Sequence, residues 1–283
     1  MAKSGKPSKA QQESARARLA AERKKAEADA RRKKVFGIAA AAVALLLVVV
    51  GVIIAIGMNR PGEGAGTGYV NALREVPAET LDAVGYGSLD SSPARAIPGG
   101  EVQMEDGKPR ILYIGAEYCS YCGFTRWPLT IALERFGDFE GLKPAFAQGR
   151  IPTVSYLDST YTSDYVAFKG YEAMDTQGRP LEEISPEDQA IATEHGMTGY
   201  PWLYWGTHTS GTPFGSAFTD GGYMPGIPGD TIAAKMLDTS TPESQAILGA
   251  ANVTTAQICA LTGDQPSDVC TAPGVVAAKQ VVR

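Results

Sequence analysis

The fold is decided by residues 109–122, which read Pro109-Arg110-Ile111-Leu112-Tyr113-Ile114-Gly115-Ala116-Glu117-Tyr118-Cys119-Ser120-Tyr121-Cys122. The apolar run at residues 111–114 predicts a short buried strand. Beyond Cys122 the residues take on helical character as far as Phe136, so a helix begins close to Cys119. Unpaired N–H groups and the dipole at a helix N-terminus stabilise a thiolate. The stretch therefore predicts a reactive Cys119, with Cys122 one helical turn away and able to close a disulfide with it.

A Cys-x-x-Cys pair is also half of a zinc site, but such a site needs a second pair of Cys or His ligands. The other cysteines, Cys259 and Cys270, are eleven residues apart, and His195 and His208 form no ligand pair with either cysteine pair. We therefore predict a redox dithiol with no metal and no other cofactor, and a purely structural disulfide stays open as the alternative. Copper delivery is a third idea, with His195 and Met197 as candidate further ligands.

A long apolar segment divides the charge of the chain. Residues 1–34 carry twelve Lys/Arg and four acids, a net charge of +8, whereas all 283 residues carry −5 and the remainder therefore −13. Residues 35–58 contain no charge, and a helix of this length, at ~1.5 Å per residue, spans a bilayer. The run is longer than the ~7–15 apolar residues of a signal peptide, so we expect a retained anchor. The positive-inside rule then predicts a cytoplasmic N-terminus and an extracytoplasmic C-terminal domain.

The remaining pattern alternates short strands and helices. Strands are predicted at residues 151–157, 165–171, 202–205 and 214–218. Helices are predicted at residues 78–84, 186–195, 231–237, 241–251 and 255–261. Residues 137–150 are predicted to form a loop.

Two motifs resemble segments of the thioredoxin-like superfamily. Residues 116–122 are similar to the active-site segment Ala-Glu-aromatic-Cys-x-x-Cys of some members, and residues 195–201, His195-Gly196-Met197-Thr198-Gly199-Tyr200-Pro201, resemble the segment before the family's cis-proline. The resemblance covers roughly residues 105–240. It implies an α/β fold, a thioredoxin-like three-layer α/β/α domain with insertions, here preceded by a single transmembrane helix. The chain also resembles an uncharacterised group of membrane-anchored bacterial and archaeal proteins with such a domain.

The resemblance implies a role for each motif residue. Cys119 is expected to be the attacking thiol and Cys122 the resolving thiol. Pro201 is expected to be a cis-proline beside them, and Tyr200 to offer its backbone to an extended substrate. Tyr113 stands where thioredoxin has a buried acid, which leaves Glu117 as a possible group for proton transfer. The 82 residues from Cys119 to Pro201 exceed the interval of a minimal thioredoxin, so an insertion is expected around residues 137–180.

The second cysteine pair is expected to be structural. A disulfide between Cys259 and Cys270 would tie the last helix to the C-terminal tail, as is common in exported domains. A disulfide that closes so short a loop contributes on the order of 2–3 kcal/mol to the stability of the folded state. A redox relay to Cys119 and Cys122 is the alternative.

Taken in order, the predicted parts are a cytoplasmic basic tail (1–34), a transmembrane helix (35–58), a tether and wrapping segment (59–104), the thioredoxin-like domain (105–240) and a helical extension with the Cys259–Cys270 disulfide (241–283). We predict a membrane-anchored extracytoplasmic thiol–disulfide oxidoreductase. Its expected partners are protein thiols and disulfides, an unidentified redox partner protein and the membrane, with no nucleic acid. The alternative is a non-catalytic accessory or binding subunit of a cell-envelope membrane complex, in which Cys119 and Cys122 form a permanent staple.

Overall fold

The computed structural model describes residues 68–89, 94–148, 150–210 and 224–282. Its strands are β1 (Arg95–Ala96), β2 (Met104–Glu105), β3 (Lys108–Gly115), β4 (Gly137–Glu140), β5 (Lys143–Ala147), β6 (Ile151–Ser155), β7 (Thr160–Ser163), β8 (Ala167–Glu172), β9 (Trp202–Tyr204) and β10 (His208–Ser210). Its helices are α1 (Gly68–Arg74), α2 (Ala78–Val84), α3 (Ser120–Leu133), α4 (Pro186–Glu194), α5 (Gly229–Met236), α6 (Pro242–Leu261), α7 (Ser267–Cys270) and α8 (Pro273–Ala278).

Strand β3 lies at the centre of a six-stranded mixed sheet. It pairs in parallel with β8 and antiparallel with β9 and β2, while β10 and β1 extend the sheet beyond β9. Its last five residues are all buried because both faces of the strand are covered. Ile111 and Tyr113 pack into the cluster that includes α3 and α6, and Leu112 and Ile114 pack with β9 and with Ala192 of α4. The predicted strand at residues 111–114 is confirmed within a longer element.

Helices α3 and α6 pack against each other on one side of β3. Two helices were predicted at residues 241–261, and this prediction was wrong, because α6 is continuous over 20 residues. The polar residues near its middle have partners that compensate for their low helix propensity. The Asn252 amide donates hydrogen bonds to the Leu81 and Gly85 carbonyls, 2.7 Å each, and the Thr255 hydroxyl donates to the carbonyl one turn earlier. The two Asn252 bonds also satisfy carbonyl groups at the end of α2.

Residues 137–163, in the expected insertion, form two nested antiparallel pairs. Strand β4 pairs with β7, and the hairpin β5–β6 lies between them in the chain. The predicted loop at 137–150 was therefore wrong. Side-chain bonds hold β6 against α3: Trp127 Nε1 donates to the Pro152 carbonyl at 2.8 Å, and Thr153 Oγ1 donates to the Gly123 carbonyl at 2.9 Å.

Short helices flank the core at both ends of the described chain. Helix α1 was not predicted, and it is held by Tyr69, whose ring stacks on Trp127 at 5.6 Å between centroids and whose hydroxyl donates to the Thr153 carbonyl. Helices α7 and α8 were also missed, although the disulfide between Cys259 in α6 and Cys270 in α7 is confirmed. Both of these cysteines are fully buried. The predicted helices at residues 78–84 and 186–195 are confirmed as α2 and α4.

The expected fold class needs correction. A three-layer thioredoxin-like domain behind a single transmembrane helix was expected, whereas the described residues have mixed α/β content with one six-stranded and two two-stranded sheets. No helix within the described ranges is both long and apolar enough to cross a bilayer. Helix α6 has the length, but it carries polar residues such as Asn252 and Gln257. The predicted transmembrane segment at 35–58 and the predicted strand at 214–218 lie outside the described residues.

Candidate active site

The two cysteines lie where β3 meets α3. Cys119 is the N-cap of α3, and its sulfur accepts a hydrogen bond from the backbone N–H of Cys122 at 3.2 Å. The two differ in access, since Cys119 is 8% exposed and Cys122 is 0% exposed. An incoming group therefore reaches Cys119 first.

The segment before β9 lies directly beside Cys119. The Tyr200–Pro201 peptide bond is cis, and the Cys119 thiol donates to the Tyr200 carbonyl at 3.4 Å between sulfur and oxygen. Tyr200 and Met174 pack against the small cluster of Ala116, Cys119 and Cys122. The structure thus brings together the four residues that the two motifs singled out, across 82 residues of chain.

The environments of the two thiols push their pKa values apart. The hydrogen bond with the Cys122 side chain lowers the pKa of Cys119 to about 7; burial opposes this shift, and the backbone N–H of Cys122 and the charge of Arg126 support it. Burial raises the pKa of Cys122 well above its usual value, and its bond with Cys119 adds to the shift. Near neutral pH the more accessible sulfur, that of Cys119, therefore carries much of the negative charge while the Cys122 thiol stays protonated.

A buried ion pair lies close to the dithiol. Arg126, one helical turn after Cys122, pairs with Glu172 at the end of β8, and neither side chain is exposed. Arg126 Nη2 also donates to the Ala116 carbonyl at 3.1 Å, and Glu172 accepts the N–H of Tyr156 at 3.3 Å. Two buried charges next to a pair of free cysteines are a costly arrangement, which makes the ion pair a candidate for function.

The sequence reasoning missed Arg126 and Glu172. Arg126 follows Cys122 by four residues in a largely apolar helix, which puts both on one helix face, and this spacing was the available signal. Glu172 ends a strand whose parallel register sets it beside Gly115, four residues before Cys119. The acid considered from the sequence, Glu117, is half-buried and its N–H donates to the Met174 carbonyl. A part for Glu117 in proton transfer stays a prediction.

Other candidate residues lie in different surroundings. The His195 ring stacks on Tyr204 with 4.7 Å between centroids, and its Nε2 is 3.1 Å from the Tyr204 hydroxyl. Met197 packs with the Leu112 and Ile114 cluster and is not among the residues packed against the cysteine cluster. The structure therefore does not place these two candidate copper ligands against the dithiol.

The C-terminal cysteines are also separate from the dithiol cluster. Cys259 and Cys270 belong to the large core cluster, whereas Cys119 and Cys122 form a small cluster of their own. Asp264 lies near the C-terminal pair, but those two sulfurs are bonded to each other and are not free as thiolate ligands.

Comparison with known families covers the site but not the whole chain. Residues 101–209 match a family model described as a domain of unknown function (DUF929). The match begins before β3 and ends after β9, so it contains the dithiol, the Arg126–Glu172 pair and Pro201. Searches of curated proteins and of solved structures gave no match.

Proposed function

We propose that this chain is a thiol–disulfide oxidoreductase acting on protein thiols and disulfides, with Cys119 as the attacking thiol and Cys122 as the resolving thiol. One observation carries the proposal. The two cysteines pack in one cluster but have unlike thiols. Cys119 is the more accessible, with its pKa lowered to about 7, whereas Cys122 is fully buried, with its pKa raised. A permanent staple needs no such difference between its two halves.

The chemistry balances within the dithiol and its substrate. The Cys119 thiolate attacks a substrate disulfide, which forms a mixed disulfide and releases one substrate thiolate. Cys122 then loses its proton and attacks the Cys119 sulfur, which forms the Cys119–Cys122 disulfide and releases the second substrate thiolate. The released thiolates take up protons, and two electrons pass to the substrate. In the opposite direction a substrate thiolate attacks the Cys119–Cys122 disulfide, and the redox partner protein determines which direction operates.

The surroundings of Cys119 suit an extended peptide. The Tyr200 carbonyl lies next to the sulfur, so a substrate backbone N–H can pair with this segment in the manner of an added strand. Tyr118 and Tyr121, on either side of Cys119 in the chain, are 40% and 42% exposed. They offer apolar contact to side chains that flank a substrate cysteine. The likeness of both motifs to thioredoxin segments supports the same assignment.

An oxidising compartment is the setting we propose. The Cys259–Cys270 disulfide is typical of proteins outside the reducing cytosol. In that setting the dithiol needs a partner protein that restores its working redox state after each exchange.

Trapping of mixed disulfides tests the proposal. The Cys122→Ser variant keeps the attacking sulfur and removes the resolving one, so covalent adducts that dithiothreitol releases should accumulate on Cys119. The matched control is Cys119→Ser, which leaves only the buried sulfur and should trap nothing. Equal, background-level adducts in both variants would favour the accessory-subunit alternative.

A further inference from the structure

We propose that the buried Arg126–Glu172 ion pair is a positioning element that sets the charge state of the dithiol. In this arrangement Arg126 favours the thiolate and Glu172 limits that effect. The purpose of such an element rests on the proposed oxidoreductase function, whereas the test below does not require turnover.

Geometry places the guanidinium beside the cluster that holds both cysteines. Arg126 lies four residues after Cys122 on α3, hence on the same face of the helix. Its Nη2 donates to the carbonyl of Ala116, and Ala116 packs directly against Cys119 and Cys122. The same residue, Ala116, therefore contacts the guanidinium and both cysteines. All four residues are buried.

The guanidinium has donor capacity that its partners do not use. Among the described residues, Arg126 Nε and Nη1 have no hydrogen-bond partner although both are buried. Arginine carries five N–H donors, and a buried donor without a partner is costly. Glu172 and Ala116 engage Nη2 alone. A positive charge with unpaired N–H donors beside two thiols lowers the free energy of the ionised form of these thiols.

The charged and titratable groups near the pair come from several elements, and a pH-dependent experiment has to consider all of them. They are Cys119 and Cys122 at the start of α3, Tyr113 of β3, Tyr156 after β6, Glu117 of the loop before α3, Tyr200 before β9, and Glu182 after β8. Glu182 accepts the Glu172 N–H and pairs with Lys169 of β8 at 3.0 Å. Burial raises the pKa values of Tyr113 and Tyr156, so both stay neutral in the range where Cys119 titrates. Arg126 is the cation among the groups acting on the sulfurs.

The two halves of the pair should therefore have opposite effects. Removing the guanidinium in Arg126→Met takes away the cation and raises the pKa of Cys119. Removing the carboxylate in Glu172→Gln leaves Arg126 without its counter-ion and lowers the pKa of Cys119. A purely structural pair would affect stability in both variants without moving the thiol in opposite directions.

The experiment measures the rate of Cys119 alkylation by iodoacetamide against pH, with mass spectrometry of each cysteine peptide in the reduced full chain. The expected result is a higher midpoint in Arg126→Met and a lower one in Glu172→Gln. The matched control is Asp188→Asn, which breaks the Arg110–Asp188 pair (2.6 and 2.9 Å). This pair lies at the other end of β3, about 16 Å along the strand from Gly115, so the alkylation midpoint of Cys119 should not change.

A double variant covers the case in which a single variant does not fold. Combining Arg126→Met with Glu172→Gln leaves no unpaired buried charge and should raise the Cys119 midpoint relative to the unmodified chain. Midpoints that shift in the same direction in both single variants, or an unchanged midpoint in the double variant, would overturn the inference. If the chain exchanges no disulfides, the Cys122→Ser trap fails while these midpoints still shift, so failure of the function and failure of the inference are distinguishable.

Discussion

The ionisation of Cys119 is the sharpest consequence of the site geometry. With its pKa lowered from 9.0 to about 7, Cys119 is about half ionised at pH 7, whereas an unperturbed thiol is about 1% ionised, roughly a 50-fold difference in thiolate fraction. A less basic thiolate is also a weaker nucleophile, by about 6–10-fold over two units at a Brønsted coefficient of ~0.4–0.5. The net gain in rate at pH 7 is therefore about 5–8-fold.

The assay is alkylation of the reduced chain between pH 5 and 10, read separately for each cysteine peptide. Because Cys119 is 8% exposed, limited access slows it at every pH, and the midpoint rather than the absolute rate is the informative quantity. We expect a midpoint near pH 7 for Cys119 and no comparable reaction at Cys122. Cys122→Ala, which removes the main cause of the shift, should raise the midpoint more than Cys122→Ser, which keeps a hydroxyl donor. A Cys119 midpoint at or above about 8.5, in the range of 8.5 to 9.0 where unperturbed thiols ionise, would refute the reasoning.

Three further outcomes concern stability. Replacing Cys259 and Cys270 with Ala opens a loop of about a dozen residues and should lower the free energy of unfolding, measured by urea titration, by about 3 kcal/mol. The midpoint of Cys119 alkylation should not move. A shifted midpoint would favour the relay alternative. Trp127→Ala removes a fully buried ring and its hydrogen bond to a backbone carbonyl, so the free energy of unfolding should fall by about 3–5 kcal/mol. A decrease below about 1 kcal/mol would contradict the buried position of this ring. Tyr113→Phe deletes a buried hydroxyl that has no partner among the described residues, so thermal unfolding should occur at the same or a higher temperature, and a marked decrease would show that the hydroxyl is bonded.

Local signals in the sequence were enough to predict the centre of the site. The apolar run before Gly115 and the cysteine at the helix start each act within a few residues, so short-range rules predict their placement. The position of Pro201 beside the cysteines was expected only from the resemblance of residues 195–201 to the segment before the thioredoxin-like cis-proline. Helix α4 was predicted for the same reason, since Ser185 accepts the N–H of Asp188 as an N-cap.

Features that depend on distant partners were missed. Asn252 lies between the helices predicted at 241–251 and 255–261, and its hydrogen bonds to the end of α2, distant in sequence, accompany the continuation of α6 through this position. Strand β5 contains Pro144 and depends on pairing with β6 for its conformation. Arg126 and Glu172 are 46 residues apart, and nothing in either neighbourhood identifies the other as its partner.

The most direct test of the central claim is the redox equilibrium of Cys119 and Cys122 in a series of glutathione buffers, followed by thiol alkylation and mass spectrometry. A working dithiol predicts a reversible transition with a midpoint between about −120 and −270 mV. A pair that remains oxidised below about −300 mV would contradict the proposed function and identify Cys119 and Cys122 as a structural disulfide.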